Sequence, residues 1–222
     1  QGVSGTAQLT LIATVIKTIA QESQKTLNTI TNKNVTTSGA AQAADISLDF
    51  ADIYSLDKVY MAADFSTNAT ASDTDITDRF TLDNGQRDNF YAVGKITRKP
   101  GALTPTGRLL IHYKYFSAGA GDYFSVDSYD GAIDYSLIPS YQTTTGSKIE
   151  LRDALDFRPR LDNTNANFTG TGALALELPK VSSNIISDFQ YYLPRTDKIF
   201  LSPEGQFKAI KGISSATPPT PA

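Results

Sequence analysis

The side chains best equipped for chemistry gather in two short stretches. "GQRDNFY" (85–91) and "LRDALDFRPR" (151–160) each place an Arg-Asp pair ahead of an aromatic residue. Together they supply Arg87, Asp88, Arg152, Asp153, Asp156, Arg158 and Arg160. A guanidinium is a planar fork of donors that holds carboxylates or backbone carbonyls from several segments at once. These residues are therefore expected to form structural ion-pair and hydrogen-bond clusters, locking loops to a sheet or to a partner subunit. The rival reading is a ligand site in which Arg reads an anionic group.

Other reactive constellations are weaker. "DTDITD" (Asp73, Asp75, Asp78) resembles the start of a calcium loop. An EF-hand needs Gly at the sixth position and Glu at the twelfth, and Asp78 and Asn84 stand there instead. A solvated acidic loop is the expectation. His112 is the only histidine. It falls in mid-strand beside Lys114, and neither a G-x-S-x-G elbow nor a nucleotide-binding glycine fingerprint occurs. Glycosidase chemistry needs two carboxylates at a set spatial separation, which 23 acidic residues do not single out. No catalytic residue, metal or cofactor is expected. Tyr113, Tyr115, Tyr123, Tyr129, Tyr135 and Tyr141 suit either a sugar-stacking platform or ordinary sheet and interface packing.

The elements that must position these groups read as β. The chain has 222 residues, 40% hydrophobic and 10% aromatic, enough for one large β domain or two small ones. "GRLLIHYKYFSAG" is the clearest strand. Leu109, Ile111, Tyr113 and Tyr115 fall on one face, and Leu110, His112, Lys114 and Phe116 on the other. Ile46, Leu48 and Phe50 alternate, and a turn is expected near Ser55-Leu56-Asp57. Phe80 and Leu82 alternate into Asn84-Gly85, a favoured hairpin-turn pair. Pro100-Gly101 and Ser202-Pro203-Glu204-Gly205 mark further turns. About ten short strand candidates lie between Gly, Pro and Asn turns, and no long amphipathic helix is evident. The fold class is mainly β, with sandwich-like antiparallel sheets, a β-rich insertion and little helix.

Residues 1–44 are expected as an N-terminal extension or connecting segment, 45–212 as a β-rich domain with an insertion at about 79–160, and 213–222 as a Pro-rich linker. Within the first segment, 1–20 fits a helical stripe or a strand, and its β-branched density favours a strand. The start at Gln1 suggests a fragment or a processed product.

Charge narrows the partners. Net charge is -3 with a pI near 5.1 and no basic run, a poor match to nucleic acid. The apolar run from Leu9 to Ala20 carries Lys17 and is shorter than the roughly 20 residues of a bilayer span, so no membrane insertion is expected. There is no cysteine, which excludes thiol catalysis, disulfides and Cys-based zinc. Asn-x-Thr sequons at Asn34, Asn68 and Asn167 carry little weight in a chain so rich in Asn and Thr.

Four stretches carry a family likeness. "DRFTLDNGQRDNFY", "GRLLIHYKYFSAGAGDYFSVDSY", "IPSYQTTTGSKIELRDALDFRPR" and "YYLPRTDKIFLSPEGQFKAIKG" resemble, in the same order over about 79–212, a series in large virion structural proteins of contractile-tailed bacteriophages, including cyanophages. The resemblance implies a non-enzymatic baseplate or tail-fibre-associated part of a longer polypeptide, assembled into the virion in the host cytoplasm. Its implied partners are other virion proteins and copies of itself. A receptor- or glycan-binding β module of a tail fibre is the alternative, with a surface glycan as its ligand. The resemblance carries no catalytic residues.

Overall fold

The computed structural model describes residues 19–161, 182, 184–188 and 190–219. The strand expected in 1–20 lies almost wholly outside the described residues. So does the sequon at Asn167.

The chain is mainly β, in antiparallel sheets. One sheet has the order β1 (Lys25–Val35), β7 (Leu109–Ala118), β3 (Ile53–Met61), β4 (Thr74–Asp75). A second has the order β2 (Asp45–Ala51), β6 (Val93–Arg98), β5 (Phe80–Asp83). Two hairpins stand apart from these: β8 (Ser140–Gln142) with β9 (Lys148–Glu150), and β10 (Lys198–Leu201) with β11 (Phe207–Ile210). The only α-helix among the described residues is the single turn α1 (Ser38–Ala41), capped by the Thr37 hydroxyl.

The two larger sheets share one core. Leu48 and Ile96 from the three-stranded sheet pack with Val59, Leu109 and Ile111 from the four-stranded one. The Tyr113 hydroxyl donates to the Leu48 carbonyl across the gap, at 2.6 Å, so a buried phenol is satisfied and the layers are pinned together. β7 lies between β1 and β3, and its alternation is sorted as its sequence predicts. Leu109, Ile111 and Tyr113 enter the shared core, while Phe116 enters a second cluster with Val126, Tyr129, Ile138 and Leu151.

Several boundaries differ from the sequence reading. The polar stretch expected as a connecting segment supplies β1, paired along its length with β7. Only Leu27, Ile30 and Val35 are apolar along it, because β1 is an edge strand and its outward positions face water. Residues 79–118 are integral to both sheets rather than inserted, since β7 is an interior strand and β6 lies between β2 and β5. The stretch after β7 is largely irregular. The turn expected at 55–57 falls within β3, which absorbs those residues through register shifts at Ile53/Ser55 and Leu56/Lys58. The actual corner is Asp52, with φ 58°, where the chain leaves one sheet for the other.

Asn84-Gly85 does not close a two-residue hairpin either. β5 and β6 pair from Phe80↔Arg98 to Asp83↔Lys95, so the link between them is a loop over 84–92. Gly85, at φ +86°, is needed for close approach: a Cβ there would lie 2.1 Å from the Ala92 carbonyl oxygen. That carbonyl lies against Gly85 because the Ala92 amide donates to the Gly85 oxygen at 2.6 Å.

Candidate functional site

The loop 84–92 and the segment 156–161 meet at one place. Tyr91 N donates to Pro159 O, and Leu161 N donates to Tyr91 O, at 2.8 and 2.9 Å. Asp156 and Phe124 exchange both backbone bonds. The strap "DFRPR" is thus extended between two strands' worth of partners. In an extended chain alternate residues share a side. That brings Asp156, Arg158 and Arg160 inward, and leaves Phe157 against Tyr123 with ring centroids 5.3 Å apart.

Asp156 is the hub. Arg158 binds it through Nε at 2.9 Å and through Nη2 at 2.7 Å, and the Tyr91 hydroxyl donates to it at 2.5 Å. Burial alone would push this carboxyl up. The Arg158 guanidinium and the Tyr91 hydroxyl outweigh burial and hold it below its usual range. Arg158 also donates to the Arg87 carbonyl at 2.9 Å and to Gln86 Oε1 at 3.3 Å. Its guanidinium lies between two rings, 4.4 Å from the Tyr91 centroid and 4.6 Å from that of Tyr141. Burial drives the Tyr91 hydroxyl far above its normal pKa, so it stays a proton donor. Arg160 reaches the carbonyls of Ala51 and Phe116 at 3.1 and 3.4 Å, joining the strap to both sheets.

Arg87 and Asp88 serve the rim. Arg87 grips Asp83 with two bonds of 2.9 and 2.8 Å. Asp88 accepts from Tyr141 Oη at 2.6 Å, from Thr144 N at 3.0 Å and from the Thr144 hydroxyl. It thereby fixes the β8–β9 hairpin to the loop, and these donors lower its pKa.

Arg152 and Asp153 are not brought in. Arg152 lies over the Tyr135 ring at 5.2 Å and pairs with Glu150 at 3.6 Å, while Asp153 faces solvent. The two Arg-Asp pairs therefore have different weights. Arg87→Ala is expected to cost about 1 kcal/mol, since the lost bonds are bidentate but half-exposed, and Arg152→Ala at most about 0.5 kcal/mol. Thermal melts of the two variants check the order, and equal shifts would contradict it.

A second, drier cluster adjoins this one. The Lys25 ammonium contacts Asp52 at 2.5 Å, with the two side chains 0% and 4% exposed. Four rings surround the ammonium: Phe124 at 4.3 Å, Tyr129 at 4.8 Å, Tyr91 at 4.9 Å and Phe116 at 5.4 Å. Burial opposes the charge on Lys25, but the Asp52 carboxylate and the Tyr129 hydroxyl overcome it and raise the lysine's pKa.

No known protein family, characterised protein or solved structure matches this chain.

Lys25 and Asp52 belong to the site and were not foreseen, Gln86 and Tyr91 lie in the stretch 85–91 without having been named as its members, and Tyr129 was expected only as a platform or packing residue. One weak signal existed: period two places Lys25 on the same side of β1 as the half-buried Leu27. An open cleft of about 390 Å³ runs beside the strap, lined by Asp88, Asn89, Tyr141, Leu155 and Phe157 among others. The Tyr141 ring that borders it is already stacked on Arg158. Tyr113, Tyr123, Tyr129 and Tyr141 are all buried, so these four present no platform to a sugar. Among the acidic residues of 73–78, Asp75 caps Thr77 and pairs with Lys58 at 2.6 Å, and these bonds depress its pKa to about 2. Among the described residues no group of three or more His, Cys, Asp or Glu is placed to hold a metal. No helix among them is long and apolar enough to cross a membrane.

Proposed function

We propose that the chain is a structural component of a bacteriophage tail, in the baseplate or fibre-attachment region, acting by protein–protein assembly rather than catalysis. The phage placement rests on the sequence resemblance over about 79–212. The observation that carries the assembly role is the C-terminal hairpin. Its pairs Ile199↔Ala209 and Leu201↔Phe207 share one face, on which Ile199, Leu201 and Phe207 are 71%, 61% and 81% exposed. An isolated two-stranded hairpin is marginal in water, and a contiguous apolar face of this kind marks an interaction surface.

The occupant is a second copy of the same hairpin. The Ile199–Leu201–Phe207–Ala209 face carries no charge, so an identical face stacks on it without like-charge contact. The opposite face carries Lys198 and Lys208 and would repel itself. Sedimentation over a concentration series is expected to show self-association that Phe207→Asp abolishes while the circular dichroism of the sheets persists. A chain that stays monomeric at every concentration would remove the self-assembly role. The tail placement is tested separately, by probing purified phage particles with an antibody against the chain; no labelling would remove it.

A further inference from the structure

We propose that Lys25 and Asp52 form an intramolecular isopeptide bond, joining the start of β1 to the corner between the two sheets. The amine and carboxyl are already in contact, at 2.5 Å, across a separation of 27 residues. Their surroundings are what an amide condensation requires. The ring of Phe116, Phe124, Tyr91 and Tyr129 excludes water, so the released water is not replaced and hydrolysis has no reagent. Both reactants are held: Asp52 sits at a positive-φ corner whose carbonyl accepts from Phe116 N at 3.0 Å, and Lys25 is paired within β1 to Ala118. Such fixed contact replaces a bimolecular encounter with a large effective concentration.

The bonds and protons balance without any co-reactant. The ammonium passes one proton to Asp52 Oδ2 along the existing hydrogen bond, giving a neutral amine and a neutral acid. The charged pair is the resting state, and condensation proceeds from this neutral form, which an enclosed site makes less costly to reach than water does. The Nζ lone pair attacks Cγ and the C–N bond forms. A second proton leaves nitrogen for the hydroxyl oxygen, the C–O bond breaks, and water departs. Tyr129 borders the reacting pair, with its ring centroid 4.8 Å from the Lys25 nitrogen. The product is a neutral amide.

Contact alone does not single out this pair. Lys33–Asp49, Lys58–Asp75, Lys95–Asp45, Lys114–Asp57 and Lys148–Glu150 also touch, but their lysine side chains are 21% to 64% exposed. Water holds those groups in their charged forms and competes for the acyl carbon. Among the described residues, only Lys25–Asp52 combines contact with full enclosure.

Mass spectrometry of the purified, denatured full chain tests this. The expected mass is that of the sequence less one water. Trypsin should then fail to cut after Lys25 and yield a branched peptide joining residues 18–33 to 34–58. Lys25→Arg keeps the positive charge without a nucleophilic amine, and should restore the full mass. A folded wild-type chain at full mass, releasing the free 26–33 peptide, overturns the proposal. So does a water loss that maps to any other pair. Neither result bears on self-association through the C-terminal hairpin, which is measured independently.

Discussion

Asp156→Ala is expected to destabilise the chain by about 3–5 kcal/mol, the usual cost of removing one partner from a buried ion pair. In a chain of this size that lowers the melting temperature by something on the order of 10 °C. The cost comes from what is left behind. Arg158 keeps a guanidinium that is 11% exposed and has lost two of its bonds, and the Tyr91 hydroxyl loses its acceptor in a fully buried position. Arg158→Ala should cost a similar amount, and the double variant less than the sum, because one deletion removes the group that the other strands. Thermal or denaturant melts of the three variants measure this, and strictly additive losses would contradict the network.

The same carboxyl contributes to the acid limb of stability. Its folded pKa lies below the ordinary Asp value, so the unfolded chain binds a proton first as pH falls. The contribution is fully present above the unfolded value of about 3.9 and is lost as pH drops through the folded one. Asp156→Asn, which cannot ionise, should flatten stability against pH below about 4. An unchanged acid limb would show that other carboxylates control it.

Phe116→Ala is the second large effect, expected at about 3–5 kcal/mol. Phe116 is 1% exposed and meets Tyr129 edge-on at 5.4 Å and Tyr54 at 5.3 Å. It also forms one wall of the Lys25 enclosure. Truncation leaves a cavity between β7 and the irregular segment after it, and opens one side of the Lys25–Asp52 contact to that cavity. The loss should exceed that of Leu82→Ala, a half-buried position at the margin of the shared core. Chemical denaturation of both variants checks the ranking.

The two stretches that first drew notice now have distinct roles. "GQRDNFY" lines a nine-residue loop whose Tyr91 and Gln86 serve Arg158 and whose Asp88 ties down a hairpin. In "LRDALDFRPR" only the second half enters the site, because the first half forms a short helical turn over Leu151–Asp153 and breaks the alternation that would align Arg152 with Asp156.

Period-two patterning within single strands was enough to establish a mainly β chain, the two faces of β7, and the absence of any long helix among the described residues. Those features are local: each depends on neighbours two residues apart. The sequence also singled out Arg87, Asp88, Asp156, Arg158 and Arg160, since arginines beside acids and aromatics are unusual on a strand. It did not single out Lys25 or Asp52, two ordinary charged residues in polar or mixed surroundings. What buries them is the meeting of β1, the Asp52 corner, the loop 84–92 and the segments around Phe124 and Tyr129, which lie up to about a hundred residues apart in the chain. Only the tertiary structure decides which charges lose their water, because desolvation is imposed by neighbours in space, and no local pattern records them.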